Sequence, residues 1–253
     1  MIEHSTPLLA VHHLRKAFDG VVAVDDVSFA VAAGEMVAVI GPNGAGKTTC
    51  FNLINGQLSP DAGEVRLAGE RIDGLPARRI AARSVARTFQ TAAVFASMTV
   101  RENVQLALIA AAGEQWNVSS RATRAHAAAA DALLERVGAI ALGPRTCAAL
   151  AYGDLKRVEI AIALAAAPRL LLMDEPTAGT AAGDRAELMT LTAGIVHAGK
   201  IAALFTEHDM DVVFGYADRV IVLDRGQIIA QGSPASVRAD LRVREVYFGV
   251  DAS

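Results

Sequence analysis

The stretch "MVAVIGPNGAGKTTCFNLING", residues 36–56, leaves few folds open to a chain that contains it. Five apolar residues of the kind that fill a buried strand run directly into Gly41, Pro42, Asn43, Gly44, Ala45, Gly46, Lys47, Thr48 and Thr49, and those into a helical run. The nine fit G-x-x-x-x-G-K-[ST] in the strand–loop–helix context that this motif needs. Glycines let successive backbone N–H groups turn inward around a phosphate chain, Lys47 brings a point charge to its outer groups, and the Thr48 hydroxyl can hold Mg2+. A chain built around this element is expected to be α/β.

The rest of the chain supplies the matching strands. Short runs at 8–14, 27–32, 36–40, 64–68, 170–174, 201–206 and 219–224 are rich in Val, Ile and Leu. Those at 36–40, 170–174 and 201–206 are almost wholly apolar, as parallel strands covered on both faces are, while the early ones alternate more, as an antiparallel sheet does. "GE" at 34–35, "DAGE" at 61–64 and "DRGQ" at 224–227 read as turns between neighbouring strands. From about residue 91 to 167 helical signals replace them. Thr99 and Glu102 form a capping-box pattern, an Ala-rich helix runs through 121–138 to a glycine stop, and a third helix begins in "LAYGDLKRVEIA", 150–161. The tail from Ser233 reads as short and helical.

Composition narrows the function. The chain has 253 residues, 53% hydrophobic and 5% aromatic, enough for one sizeable α/β core with an inserted lobe. With 24 Lys+Arg against 27 Asp+Glu the net charge is −3, so no global basic field gathers nucleic acid and any anion site is local. Cys50 and Cys147 stand far apart and outside any CxxC pair, which argues against a disulfide or a metal. The sequence shows neither an export signal nor an apolar run of membrane-spanning length, and folding in the cytosol is the expectation.

Two further strand ends carry chemistry. "LLLMDEP" closes an apolar strand on Asp174 and Glu175. Asp174 is placed to reach the Mg2+ shell of the phosphate loop, and Glu175, one residue beyond, to polarise an attacking water. "IAALFT" closes on Glu207 and His208, at the sheet edge where ligands of open α/β folds bind. His12 and His13 face opposite sides of a strand and suggest no metal cluster. Gln90, closing the strand "VARTF", sits where core and helical lobe meet.

In order and spacing, the phosphate loop, Gln90, the 150–161 stretch, "LLLMDEP" and His208 resemble the ATPase subunit of an ABC transporter. "FDGVVAVDDVSF", "VARTFQ", "MTVRENV", "LAYGD", "RVEIA", "TEHDM" and "VREVYFGV" are similar to the ATPases of branched-chain amino-acid importers. The resemblance implies a single ABC-type P-loop NTPase domain over 1–253. Its nucleotide-binding core would be 1–90 and 168–253, with an antiparallel β subdomain and a mixed, mainly parallel sheet; the inserted α-helical subdomain would be 91–167. It implies ATP and Mg2+ as cofactors, with Phe18 stacked on adenine, Gly41 to Thr49 around the phosphates, and Lys47, Glu175 and His208 as the catalytic set. Asp174, Thr48 and Gln90 would serve the metal, Gln90 also sensing the γ-phosphate. Leu150, Ala151, Tyr152, Gly153 and Asp154 align with the family signature L-S-G-G-Q, which completes the ATP site of a second ATPase subunit.

The implied partners are that second subunit, integral-membrane permeases docking around Gln90 to Val100 and, indirectly, an extracytoplasmic binding protein, with no nucleic acid. The implied place is the cytoplasmic face of the bacterial inner membrane. The ATPase of a lipid or lipopolysaccharide exporter, or of an importer for urea or short amides, is the alternative. Three departures stand out: Ala151 replaces the signature serine, Leu155 replaces a usual glutamine, and "TAGTAAGD" (177–184) lacks the usual Leu and Asp or Asn. All serve the partner's nucleotide, so the two composite sites are expected to be unequal if the partner differs.

Overall fold

The computed structural model describes residues 7–88, 93–114 and 126–248. Two sheets organise it. The first is antiparallel, in the order β2 (Val21–Val31), β1 (Leu9–Phe18), β4 (Ala62–Leu67), β5 (Glu70–Arg71). The second has six strands in the order β10 (Gln227–Gly232), β9 (Arg219–Asp224), β3 (Met36–Ile40), β8 (Ala202–Thr206), β7 (Leu170–Asp174), β6 (Val85–Thr88). It is parallel throughout except for the β9–β10 hairpin.

The near-continuous apolar runs are explained by burial on both faces. In β3, Met36, Ala38 and Ile40 enter one core cluster while Val37 and Val39 enter the other; Leu171 and Met173 part from Leu170 and Leu172 in β7 in the same way. One cluster joins the two sheets with helix α1 (Lys47–Ile54) between them. The other joins the six-stranded sheet to helices α3 (Val100–Ala111), α4 (Ala127–Arg136), α5 (Tyr152–Leu164) and α6 (Ala182–Gly199). The remaining α-helices among the described residues are α2 (Ala77–Ala81), α7 (Met210–Tyr216), α8 (Pro234–Ala239) and α9 (Leu241–Phe248).

Several boundaries differ from the sequence reading. β1 runs four residues beyond Leu14 and β2 starts six before Val27, because register shifts and left-handed backbone at His13 (φ 49°) and Asp26 (φ 55°) break the period of two. The 61–64 stretch is not a turn: β4 already begins at Ala62. Gly34 and Glu35 link β2 to β3, which lie in different sheets rather than side by side. Asp224 to Gln227 is a hairpin turn, with Arg225 and Gly226 both left-handed, and it leads into β10, which the sequence reading left out. The first part of the Ala-rich helix, 121–125, lies outside the described residues.

The capping box that opens α3 is complete. The Glu102 N–H donates to Thr99 Oγ1 at 3.2 Å, and the Thr99 N–H donates to Glu102 Oε2 at 2.7 Å. The Thr99 N–H and the Thr99 hydroxyl, which also donates to Glu102 Oε2 (2.8 Å), hold the Glu102 carboxyl below its ordinary range. Thr99→Ala is expected to cost about 1 kcal/mol in urea unfolding. A carboxyl with a depressed folded pKa contributes stability above its unfolded pKa and loses it as pH falls. The gap between variant and wild type should therefore narrow in acid, and a gap unchanged at pH 3 would show the box is not its source.

Candidate active site

Three neighbouring parallel strands, β3, β8 and β7, end side by side, and the strand order alone brings their C-terminal residues together. After β3 the chain turns through Gly41–Gly46 into α1. Gly46 is left-handed (φ 101°) and a Cβ there would overlap the Ala23 carbonyl; a Cβ on Gly41 would overlap that of Leu223. The loop is thus wedged against β2 and β9 with no room for side chains at either position. Lys47 is 9% exposed and its Nζ donates to the carbonyls of Gly41 (2.6 Å) and Pro42 (3.1 Å). Burial lowers its pKa, and the charges of Glu175 and Asp174 oppose that shift, so both carboxylates are close enough for their field to act on the ammonium.

Asp174 ends β7, held from two sides. Thr206 Oγ1 donates to its Oδ1 at 2.7 Å and Arg87 Nη2 to its Oδ2 at 3.0 Å. Glu175 follows in the left-handed region (φ 48°), its N–H directed at the Thr206 carbonyl (3.2 Å) and Oγ1 (3.1 Å). That unusual backbone turns its carboxylate toward β8, where His208 Nε2 lies 3.0 Å from Glu175 Oε1. Glu207 is buried: its Oε1 accepts from the N–H and hydroxyl of Thr177, and its Oε2 from the His208 N–H at 3.2 Å.

A pocket of about 330 Å³ gathers Phe18, Asn43 through Thr49, Asp174, Glu175 and His208. Phe18 ends β1 at its mouth, 42% exposed. Gln90 lies outside the described residues. Among the described residues no cluster of three or more His, Cys, Asp or Glu could cage a metal. A hydroxyl and a carboxylate beside a phosphate loop do suit Mg2+, which keeps waters and shares its shell with phosphates.

The signature residues are elsewhere. Ala151 caps α5 without a side-chain bond, and Ala151, Gly153 and Asp154 line a separate pocket of about 250 Å³ with Arg157 and Asp184. Tyr152 packs on Gly179, and a Cβ at Gly153 would sit 3.3 Å from Asp184 Oδ2. Signature and post-acid loop, the two places where the sequence departs from the family pattern, thus touch each other. The first N–H groups of α5 share their pocket with two carboxylates and the Arg157 guanidinium, so the charge there is mixed.

Arg87 and Thr206 were missed by sequence reasoning, and Glu207 was placed at the strand end without a role. The legible signals were an arginine inside an apolar strand and a carboxylate next to a strand-end histidine.

The ABC transporter family model matches residues 24–178, across the phosphate loop, the signature and the acidic strand end. The chain belongs to the ABC transporter ATPases. A second model, the branched-chain amino acid ATP-binding cassette transporter, matches residues 227–253 of this ABC ATPase. The high-affinity branched-chain amino acid transport ATP-binding protein LivG of Salmonella typhimurium is 38% identical over 97% of this chain and 99% of its own. BraF of Pseudomonas aeruginosa, with the same description, is 36% identical over 97% and 99%. A nucleotide-free ATP-binding cassette from an ABC transporter superposes with a TM-score of 0.85 at 31% identity, covering 96% of this chain and 100% of that one. As an ABC ATPase the chain binds nucleotide and hydrolyses ATP. No helix among the described residues is long and apolar enough to cross a membrane.

Proposed function

We propose that this ABC ATPase drives a membrane importer for branched-chain or related amino acids. The observation that carries the reading is end-to-end similarity to LivG and BraF, including the separate match over the C-terminal 227–253. The core of 1–90 and 168–253 would hold the nucleotide and the helical insertion of 91–167 would meet the permeases, near Gln90 to Val100. Attachment would be peripheral, on the cytoplasmic face of the inner membrane, through those permeases. An extracytoplasmic binding protein would present the solute.

In the site, Phe18 stacks on the adenine, the loop Gly41 to Thr49 takes the phosphates with the backbone N–H groups of its residues other than Pro42, and Lys47 leaves its own loop carbonyls for them. Thr48 and Asp174, with Gln90, would hold Mg2+, which when bound would neutralise phosphate charge. Glu175 accepts a proton from the attacking water, and His208, 3.0 Å away, holds that carboxylate and meets the γ-phosphate. Leu150 to Asp154 serve the nucleotide of a second subunit, in keeping with their absence from this chain's own phosphate pocket.

The test is to express the chain with a candidate permease pair and binding protein. Copurification with polytopic membrane proteins, and ATPase activity raised by leucine, isoleucine or valine, is the expected result. A complex that answers only to urea or a short amide would overturn the substrate class.

A further inference from the structure

We propose that Arg87 is a positioning residue for Asp174, fixing the carboxylate against the helix that carries the phosphate loop. Arg87 lies in β6, paired with Leu172 of β7, and its side chain is 9% exposed. A guanidinium this desolvated must be met by acceptors, and their identity is what matters here. Nη1 donates to Asn52 Oδ1 at 2.6 Å and to Gln57 Oε1 at 3.1 Å; Nη2 donates to Asp174 Oδ2 at 3.0 Å. The cation also lies 5.9 Å from the centroid of the Phe51 ring.

Phe51 and Asn52 are on α1, the helix that begins at Lys47. One planar fork therefore spans the phosphate-loop helix and the acidic strand end. Thr206 holds the other oxygen of Asp174 at 2.7 Å, so the carboxylate cannot rotate without losing a bond on one side. Each oxygen keeps a second lone pair, leaving Asp174 able to give it to a metal or to accept a hydrogen bond from the metal's water. Lysine would keep the charge, but its three donors sit on one nitrogen, which cannot stand in the places of Nη1 and Nη2 together. The inference rests on the Mg-nucleotide reading of the site and extends it to a residue outside the pocket.

The test is binding of a fluorescent ATP analogue to the full chain, with and without metal. Arg87→Lys and Arg87→Met are expected to bind the analogue in EDTA within about twofold of wild type, while the half-saturating Mg2+ concentration rises about tenfold. Asn52→Ala, which removes the shorter of the two Nη1 bonds without touching Asp174, should move the same quantity in the same direction by a smaller factor; it carries the test if Arg87→Met does not fold. Full recovery of the Mg2+ dependence in Arg87→Lys, or a fall in metal-free affinity by the same factor, would overturn the proposal and leave Arg87 a structural ion pair. A wild-type chain indifferent to Mg2+ would instead sink the site reading, and the proposal with it.

Discussion

Glu175→Gln is expected to lower ATP turnover by about 10³-fold while leaving ATP affinity within a few fold. The substitution keeps the shape of the side chain and its reach to His208. The strained backbone is held by Thr206 through the Glu175 N–H, which glutamine retains. What goes is the anionic acceptor for the water proton. Steady-state hydrolysis and nucleotide binding by the assembled complex check this, and a parallel loss of binding would mean that Glu175 holds nucleotide rather than water.

The same variant tests the inequality of the two sites. If the partner is a different ATPase subunit, Glu175→Gln here should cost more turnover than the equivalent change there. The site on this chain's Lys47 has its loop and carboxylates complete, whereas the partner's site would be closed by Ala151, with no hydroxyl, beside Asp154 and Asp184. Equal losses from the two variants would sink this asymmetry.

The second large effect is expected at Lys47. Its ammonium is buried, its pKa is lowered by that burial, and its bonds go to two carbonyls of its own loop. A cation kept so poorly solvated is strongly attracted to phosphate, and removing it should be severe. Lys47→Ala is expected to lower turnover by at least about 10²-fold. Melting in the absence of nucleotide should fall only modestly, because the loop loses two side-chain bonds to its carbonyls but keeps the close packing of Gly41 and Gly46. Wild type should gain about 2.7 kcal/mol at an ATP concentration a hundred times its Kd, and the variant almost none at the same concentration. A variant whose Tm still rises with ATP would contradict this role.

Much of the fold was readable before the structure because the signals are local. A strand covered on both faces writes an unbroken apolar run, as at 36–40 and 170–174, and Thr99 with Glu102 announce a helix start whatever lies around them. The misreadings share a cause as well. β1 and β2 carry bulges that shift the inside-outside alternation, and β10 is a half-buried edge with a mixed pattern, so neither keeps a clean period. Arg87 reads as an odd charge in an apolar strand until its partners on α1 and β7 are known.

The sequence by itself determined which chemical groups exist and where along the chain they sit: a phosphate loop after one strand, two carboxylates after another, a histidine after a third. Tertiary structure alone decided that β3, β8 and β7 are neighbours in that order, so that Lys47, His208, Asp174 and Glu175 share one pocket and the signature does not. The reason is that strand pairing is non-local. Residue alternation records which faces of a strand are buried, but not which strand lies beside it, and the bonds that set Asp174 come from residues 87 and 32 positions away.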